Sequence, residues 1–305
     1  MKIVFMGTPE FAVASLDALI KAGFDIVGVI TAPDKPAGRG QKLNESAVKQ
    51  YAVAKGLKVL QPEKLRNPEF LAELKSLQAD LQVVVAFRML PEVVWNMPPK
   101  GTINLHASLL PNYRGAAPIN WAIINGEKES GVTTFFLKQD IDTGDILFSE
   151  SVSIKPDETA GELHDALMIV GAGLLVKTVK AIAAGNYKEQ PQDALATGQE
   201  LKHAPKLFKE DCLIDFINPV EKVYNRIRGL SPYPTAYTLL NGKILKIFKA
   251  EMSMVDPGIF PGGFLTDDKT FLKFACKDGF IIVKDIQLEG KKRMGIEEFL
   301  RGVRL

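Results

Sequence analysis

Residues 2–31 constrain the fold more than any other stretch. Residues 2–6 form a short apolar strand, and Gly7-Thr8-Pro9-Glu10-Phe11 turns into a helix with Pro9 near its first position, where a missing N–H costs nothing. Phe11, Leu16, Leu19 and Ile20 give that helix one apolar stripe, and Gly23 stops it. Residues 25–31 are a second strand with an almost wholly apolar middle. Strand, helix and buried strand make a βαβ unit, which demands a mostly parallel sheet and a right-handed crossover. The first turn holds one glycine rather than Gly-x-Gly-x-x-Gly, which disfavours NAD binding.

The pattern continues. Helices are expected from residue 46 to 54, over 68–76 and over 92–97, with a short strand at 57–61. The valine run in 79–87 fits a parallel strand buried on both faces. Residues 32–43 carry two prolines, two glycines and the basic Lys35, Arg39 and Lys42. That composition argues against regular structure, and a long loop at a strand's C-terminal end is more often a lid or binding loop than a bare connection. Further on, a helix at 117–126 and strands at 131–137 and 147–154 precede a helix over 160–184. Thr159 and Glu162 stand in capping-box spacing at its start.

Residues 185–207 lack apolar periodicity and read as a linker. Beyond them come a helix over 216–230, a hairpin around Asn241-Gly242, several short strands and a helix at 296–300. A small OB-type β-barrel suits that pattern, and such barrels often bind nucleic acids. The expected α/β architecture is therefore a Rossmann-like, mostly parallel sheet followed by a small C-terminal OB-like β-barrel. Its boundaries fall at 1–188 for the first domain, 189–208 for the linker and 209–305 for the second.

Composition excludes several classes. With 46% apolar and 24% charged residues among 305, the chain is neither disordered nor fibrous. No apolar run is expected to reach the 18 or so residues of a membrane span. The N-terminus enters a strand at once, without a signal-peptide layout. Cys212 and Cys276 stand far apart, outside any metal spacing, so a reducing, cytoplasmic setting without disulfide or zinc is expected. Nothing demands an obligate protein partner or more than a monomer. Residues 206–305 hold 17 Lys and Arg against 13 Asp and Glu, whereas residues 1–205 hold 21 against 23. A mildly basic C-terminal third suits a polyanion, though only weakly.

The chemistry gathers in residues 101–115, Gly-Thr-Ile-Asn-Leu-His-Ala-Ser-Leu-Leu-Pro-Asn-Tyr-Arg-Gly. A short strand here puts Asn104 and His106, two residues apart, on one face at its C-terminal end. That is where open α/β sheets bind ligands. Arg114 lies in the loop that follows. The imidazole is either a catalytic group or a core histidine satisfied by a backbone carbonyl. Asp142 and Asp145, in a carboxylate-rich turn after the next strand, are the acids placed to reach it. Ser108 has no nucleophile elbow around it, and neither cysteine lies near these motifs. Asn, His and Asp without a covalent nucleophile suit direct acyl transfer, the amide and a His N–H holding a tetrahedral oxyanion while the Asp orients the imidazole. A nonfunctional Asp-Thr-Gly-Asp turn stays open on these residues alone.

Asn104-Leu105-His106, Ser108-Leu109-Leu110-Pro111, Tyr113-Arg114-Gly115 and Asp142 in this order resemble the folate-dependent formyltransferases. The Pro33-Asp-Lys-Pro-Ala-Gly-Arg-Gly40 loop, the Ala204-Pro-Lys-Leu stretch and Arg228-Gly-Leu-Ser-Pro-Tyr-Pro resemble the branch that acts on methionyl-tRNA. The resemblance covers nearly the whole chain. It implies formyl transfer from 10-formyltetrahydrofolate, with no metal, to the amino group of methionine on initiator methionyl-tRNA. Asn104, His106 and Asp142 take the catalytic roles by this resemblance. Ser108, Leu109, Leu110 and Pro111 match the folate loop, while Phe87, Arg88, Met89 and Leu90 and the Ile141 to Asp145 turn flank the pterin. The Phe87-Arg88-Met89 run departs from the tyrosine and small residue of many relatives, which leaves backbone contacts as the firmer expectation. Lys35, Arg39 and Lys42 match the loop that approaches the tRNA acceptor end. The rival readings are formylation of a nucleotide-linked amino sugar, of glycinamide ribonucleotide, or a non-catalytic tRNA-binding module.

Overall fold

The computed structural model describes residues 1–37, 42–195 and 200–303. The chain forms two compact units, neither of them one continuous stretch. The first comprises Met1–Arg114, Gly131–Val152 and Asp165–Lys202; the second comprises Gly115–Ser130, Ser153–His164 and His203–Leu305.

The elements follow in chain order as β1 (Lys2–Gly7), α1 (Glu10–Lys21), β2 (Asp25–Ile30), β3 (Lys35–Ala37), β4 (Lys42–Asn44), α2 (Ala47–Ala54), β5 (Val59–Leu60), α3 (Pro68–Ser76), β6 (Leu81–Val85), α4 (Glu92–Trp95) and β7 (Thr102–His106). After them come β8 (Arg114–Gly115), α5 (Pro118–Ile124), β9 (Glu129–Phe136), β10 (Ile146–Ser153) and α6 (Ala160–Ala184). The sheet of the first unit runs β10-β9-β7-β6-β1-β2-β5. Its β5, β2, β1, β6 and β7 are mutually parallel, while β9 lies antiparallel on β7. Strand order reverses about β1, so the C-terminal ends of β1, β6 and β7 open on the switch point where such sheets bind ligands. Val4, Met6, Ile30 and Val84 pack with Phe70, Leu74 and Val94 on one face. On the other, a Cβ at Gly7 would stand 2.6 Å from Ala12 Cβ, and one at Gly171 of α6 would stand 3.0 Å from Leu105 Cδ2.

The second unit carries β11 (His203–Ala204), α7 (Val220–Gly229), β12 (Ala236–Leu240), β13 (Lys243–Ser253), β14 (Phe264–Thr266), β15 (Leu272–Ala275), β16 (Phe280–Leu288), β17 (Met294–Gly295) and α8 (Ile296–Arg301). Its antiparallel sheet runs β12-β13-β16-β15-β14, with β17 added to β16. Register shifts near Lys249 mark bulges in β13, and bulges bend and curl a sheet. The turn at Asn241-Gly242 has positive φ at both residues (49° and 76°), as a tight hairpin requires. This OB-like sheet and the parallel sheet of the first unit are the two expected halves of the α/β fold.

Two expectations need correction. The residues around the basic loop are not wholly irregular, because β3 and β4 pair antiparallel, Pro36 opposite Leu43. A two-stranded ribbon has open edges, where the missing proline N–H is tolerated. Second, α6 is long and apolar enough to cross a membrane by length and composition. It is a core helix instead: Leu167, Leu174, Leu175, Val179 and Ile182 are buried, and Thr178 Oγ1 lies 2.8 Å from Thr134 Oγ1 of the sheet. Within the stretch read as a linker, Gln190 exchanges two 2.9 Å backbone hydrogen bonds with Ile146.

Candidate active site

His106 ends β7 and is 7% exposed. Asn104 shares its face by strand periodicity, and no described residue is hydrogen-bonded to the Asn104 side-chain amide. Leu105, between them, points to the opposite face, toward α6. His106 Nε2 lies 2.8 Å from the carbonyl oxygen of Tyr113. A carbonyl only accepts, so Nε2 carries the hydrogen of this contact. Nδ1 faces Asp142 Oδ2 at 3.8 Å, an ion-pair spacing longer than a hydrogen bond. The backbone carbonyl thus occupies one nitrogen of this histidine, while the other faces a carboxylate.

Both partners of the imidazole come from strained backbone. Tyr113 (φ 60°) and Asp142 (φ 54°) are left-handed, a conformation non-glycine residues rarely adopt and one that gathers at functional sites. The loop after β7 is braced from within. Ser108 is fully buried and donates to the Asn112 carbonyl at 2.7 Å. Thr133 Oγ1 donates to the Ser108 carbonyl at 2.7 Å and accepts the Leu110 N–H at 3.2 Å. Leu110 packs on Phe135 and Ile146, Pro111 is buried, and Leu109 is half-buried. Ser108, Leu110 and Pro111 therefore have their side chains turned into the protein.

At the end of β6, Phe87 and Leu90 pack into the core with Val94. Arg88 donates to the Glu63 carbonyl at 2.8 Å and to the Pro62 carbonyl, and burial pulls its guanidinium below its usual range. Met89 alone of these four stands out, 72% exposed. In the acidic turn Ile141 is 57% exposed. Asp145 is taken by Lys138, with Nζ 2.7 Å away, which leaves Asp142 as the carboxylate at His106. Between them Gly144 passes so close to β9 that a Cβ would stand 1.6 Å from the Phe136 carbonyl oxygen, so only glycine fits.

One residue of this site went unnoticed in the sequence. Gln192 is 2% exposed and joins the two loops. Its Oε1 accepts from Arg114 Nε (3.0 Å) and Nη2 (2.6 Å), and its Nε2 donates to the carbonyls of Asp142 (2.9 Å) and Gly144 (2.8 Å). A lone glutamine in a stretch without periodicity gives no signal from composition or spacing.

The base of the basic loop is anchored. Asp34 accepts from Lys49 Nζ and from Gln61 Nε2 (2.8 Å), which hold its carboxyl below the ordinary range. Lys35 is exposed at the start of β3, and Lys42 opens β4; Arg39 lies outside the described residues. Among the described residues no group of three His, Cys, Asp or Glu stands close enough to hold a metal ion.

Comparison with known proteins identifies the family. The model of the formyl transferase family matches residues 1–179, and that of the formyl transferase C-terminal domain matches residues 206–304. Methionyl-tRNA formyltransferase of Bacteroides fragilis is 53% identical over 310 aligned positions, covering 100% of this chain and 96% of that protein. The Flavobacterium johnsoniae protein of the same name is 52% identical, covering 99% and 96%. Among solved structures, the sugar 3N-formyl transferase WlaRD superposes with a TM-score of 0.70 at 23% identity, covering 96% of this chain and 99% of that one. HypX of Aquifex aeolicus in complex with tetrahydrofolic acid superposes at 0.67 with 18% identity, covering 99% of this chain but 48% of the other, a likeness of fold alone. With both domain models matched and relatives more than half identical from end to end, the chain belongs to the formyl transferase family.

Proposed function

We propose that this chain transfers the formyl group of 10-formyltetrahydrofolate to the amino group of methionine on initiator methionyl-tRNA, giving N-formylmethionyl-tRNA for translation initiation. The observation that carries the reading is 53% identity over the full length of a methionyl-tRNA formyltransferase. The solved sugar formyltransferases share the fold at only 23% identity. The catalytic and donor-binding residues belong to the first unit, and tRNA binding falls to residues 209–305. Buried, free cysteines suit a reducing, cytoplasmic setting.

The donor is a substrate whose N-formyl group is an acyl amide, ready for attack by an amine. The exposed apolar Met89 and Ile141 at the ends of two loops suit its flat ring system, with the backbone of Phe87 to Leu90 and of Ile141 to Asp145 offering polar edges. Ser108 to Pro111, their side chains turned inward, contribute backbone to the same pocket.

Asn104 directs an amide N–H at the oxygen that gains charge as the amine attacks. His106 contributes through Nδ1, because its Nε2–H is committed to Tyr113. As a neutral ring it accepts the proton the amine sheds; as a cation it donates to the oxyanion and then returns the proton to the departing nitrogen. Asp142 faces that same nitrogen and stabilises the cationic ring. Lys35, Arg39 and Lys42 meet the acceptor-end phosphates as point and forked donors.

The test sets charged initiator methionyl-tRNA against a dTDP-linked amino sugar, each with 10-formyltetrahydrofolate and the full chain. Formylmethionine from the tRNA, and none on the sugar, is expected. Formylation of the sugar alone would transfer the protein to the other branch of the family.

A further inference from the structure

We propose that Gln192 is a positioning residue for formyl transfer, one that fixes the Asp142 turn against the loop holding His106. The inference rests on the acyl-transfer reading above. It concerns a residue that neither matched family segment contains, since these end at 179 and begin again at 206.

A polar side chain only 2% exposed must satisfy its amide inside the protein, and Gln192 spends all of it on the site. The sense of the amide is set by its partners. Arg114 only donates, so it faces Oε1; the carbonyls of Asp142 and Gly144 only accept, so they face Nε2. Arg114 directly follows Tyr113, whose carbonyl holds His106 Nε2. One planar amide therefore spans the supports of both members of the His106–Asp142 pair.

The turn needs such a support. Asp142 sits at φ 54°, a sparsely populated conformation that persists only where its surroundings impose it. Lys138 holds the far end of the turn through Asp145, and Gln192 holds the Asp142 end. Gln192 is itself held in place. Gln190 and Ile146 pair by two 2.9 Å backbone hydrogen bonds, and Pro191 leads into a short 3-10 turn, Gln192–Ala194. A shift of about 1 Å in a catalytic group costs up to about a hundredfold in rate, so losing this support is felt as chemistry.

Gln192→Glu separates the two ends of the amide at constant size. A carboxylate keeps Arg114 and turns oxygen toward the carbonyls of Asp142 and Gly144, so the turn is released while the Arg114 side stays held. The experiment compares full-length wild type, Gln192→Glu, Asp142→Asn and the double variant in single-turnover formyl transfer to charged methionyl-tRNA, with thermal unfolding as a check on folding. Gln192→Met, equally long and unable to hydrogen-bond so, stands in if the glutamate variant fails to fold. The expected result is a fall of between ten- and a hundredfold in the chemical step for Gln192→Glu, with KM for both substrates within about threefold of wild type. Added to Asp142→Asn, the same change should cost less than about threefold more, because both act through one carboxylate. Penalties that multiply in the double variant, or a single variant with wild-type turnover, would overturn the proposal.

A second readout does not depend on the acceptor. The chain has three histidines, so the His106 ring resonances can be followed by NMR. They should move in Gln192→Glu in the direction they move in Asp142→Asn, while those of His164 and His203 stay. If His106 is undisturbed, the proposal is wrong whatever the acceptor proves to be. If wild type formylates no methionyl-tRNA while the His106 shifts appear, the substrate reading fails and the positioning role stands.

Discussion

At the scale of single residues, the site turns on which nitrogen of His106 is free. Tyr113 holds Nε2, so in the proposed mechanism proton transfer uses Nδ1, the nitrogen that faces Asp142. The neighbouring acid has another occupation, its carboxylate lying 2.7 Å from Lys138 Nζ. The two aspartates should therefore separate cleanly on substitution. Asp142→Asn should lower turnover by about 10²–10³, the scale of losing one aligned electrostatic partner at a reacting centre. Asp145→Asn should change kcat no more than a few-fold. Steady-state kinetics of both variants checks this, and the reverse ranking would move the acid role to Asp145. Asn104, His106 and Asp142 were legible in the sequence because period-2 spacing and motif order point to them. The physical reason to prefer Asp142 to Asp145 was not, since it depends on where Lys138 lies in space.

At the scale of elements, local chemistry accounts for what the sequence made visible. The capping box expected at the start of α6 is present: the Thr159 N–H and Oγ1 donate to Glu162 Oε2 at 2.8 and 2.7 Å. Thr159 Oγ1 accepts the Glu162 N–H at 3.3 Å in return. The bonds from Thr159 hold the Glu162 carboxyl below its usual pKa of 4.5. A depressed carboxyl stabilises the fold fully above its unfolded pKa, and that contribution is lost as pH falls through the folded value. Thermal unfolding between pH 7 and pH 3 should therefore fall less steeply for Glu162→Gln than for wild type. Equal slopes would show that the box adds nothing. The basic loop is a different case. Its composition was legible, but the β3–β4 ribbon at its base was not, because Pro36 and the glycines mask a pairing that needs only two short edges. From its position between two glycines, Arg39→Ala should greatly lower kcat/KM for methionyl-tRNA. It should also flatten the log–log salt slope by about one unit per lost duplex phosphate contact, with donor binding unchanged. Wild-type kcat/KM at every salt concentration would remove the loop from tRNA recognition.

At the scale of the whole molecule, the sequence shows two architectures in order but conceals how the chain is shared between them. Apolar periodicity reports that a residue is buried, not which core receives it. Ile124 belongs to a cluster with Cys212, Phe216, Val223, Ile227 and Leu230, and Asn120 donates to the Gly229 carbonyl at 2.7 Å. Arg228, 5% exposed, donates to the Glu158 carbonyl at 2.9 Å. Cutting the chain after residue 208 would strip these contacts and bare Ile124. A 1–208 fragment should therefore unfold at a lower temperature than the full chain and associate through the bared surface. A fragment as stable as the parent, binding the folate donor normally, would show that residues 209–305 are dispensable for folding. The proposed role of the C-terminal part in tRNA binding is accordingly best tested in the intact protein, as is the chemistry. The most direct measurement is the rate of N-formylmethionyl-tRNA formation from charged initiator tRNA and 10-formyltetrahydrofolate by wild type, Asn104→Ala and His106→Ala, each at full length. The account predicts product from wild type and a loss of about 10²–10³ in each variant, with both variants folded and binding donor. Product formed at near wild-type rates by either variant, or none formed by wild type, would contradict it.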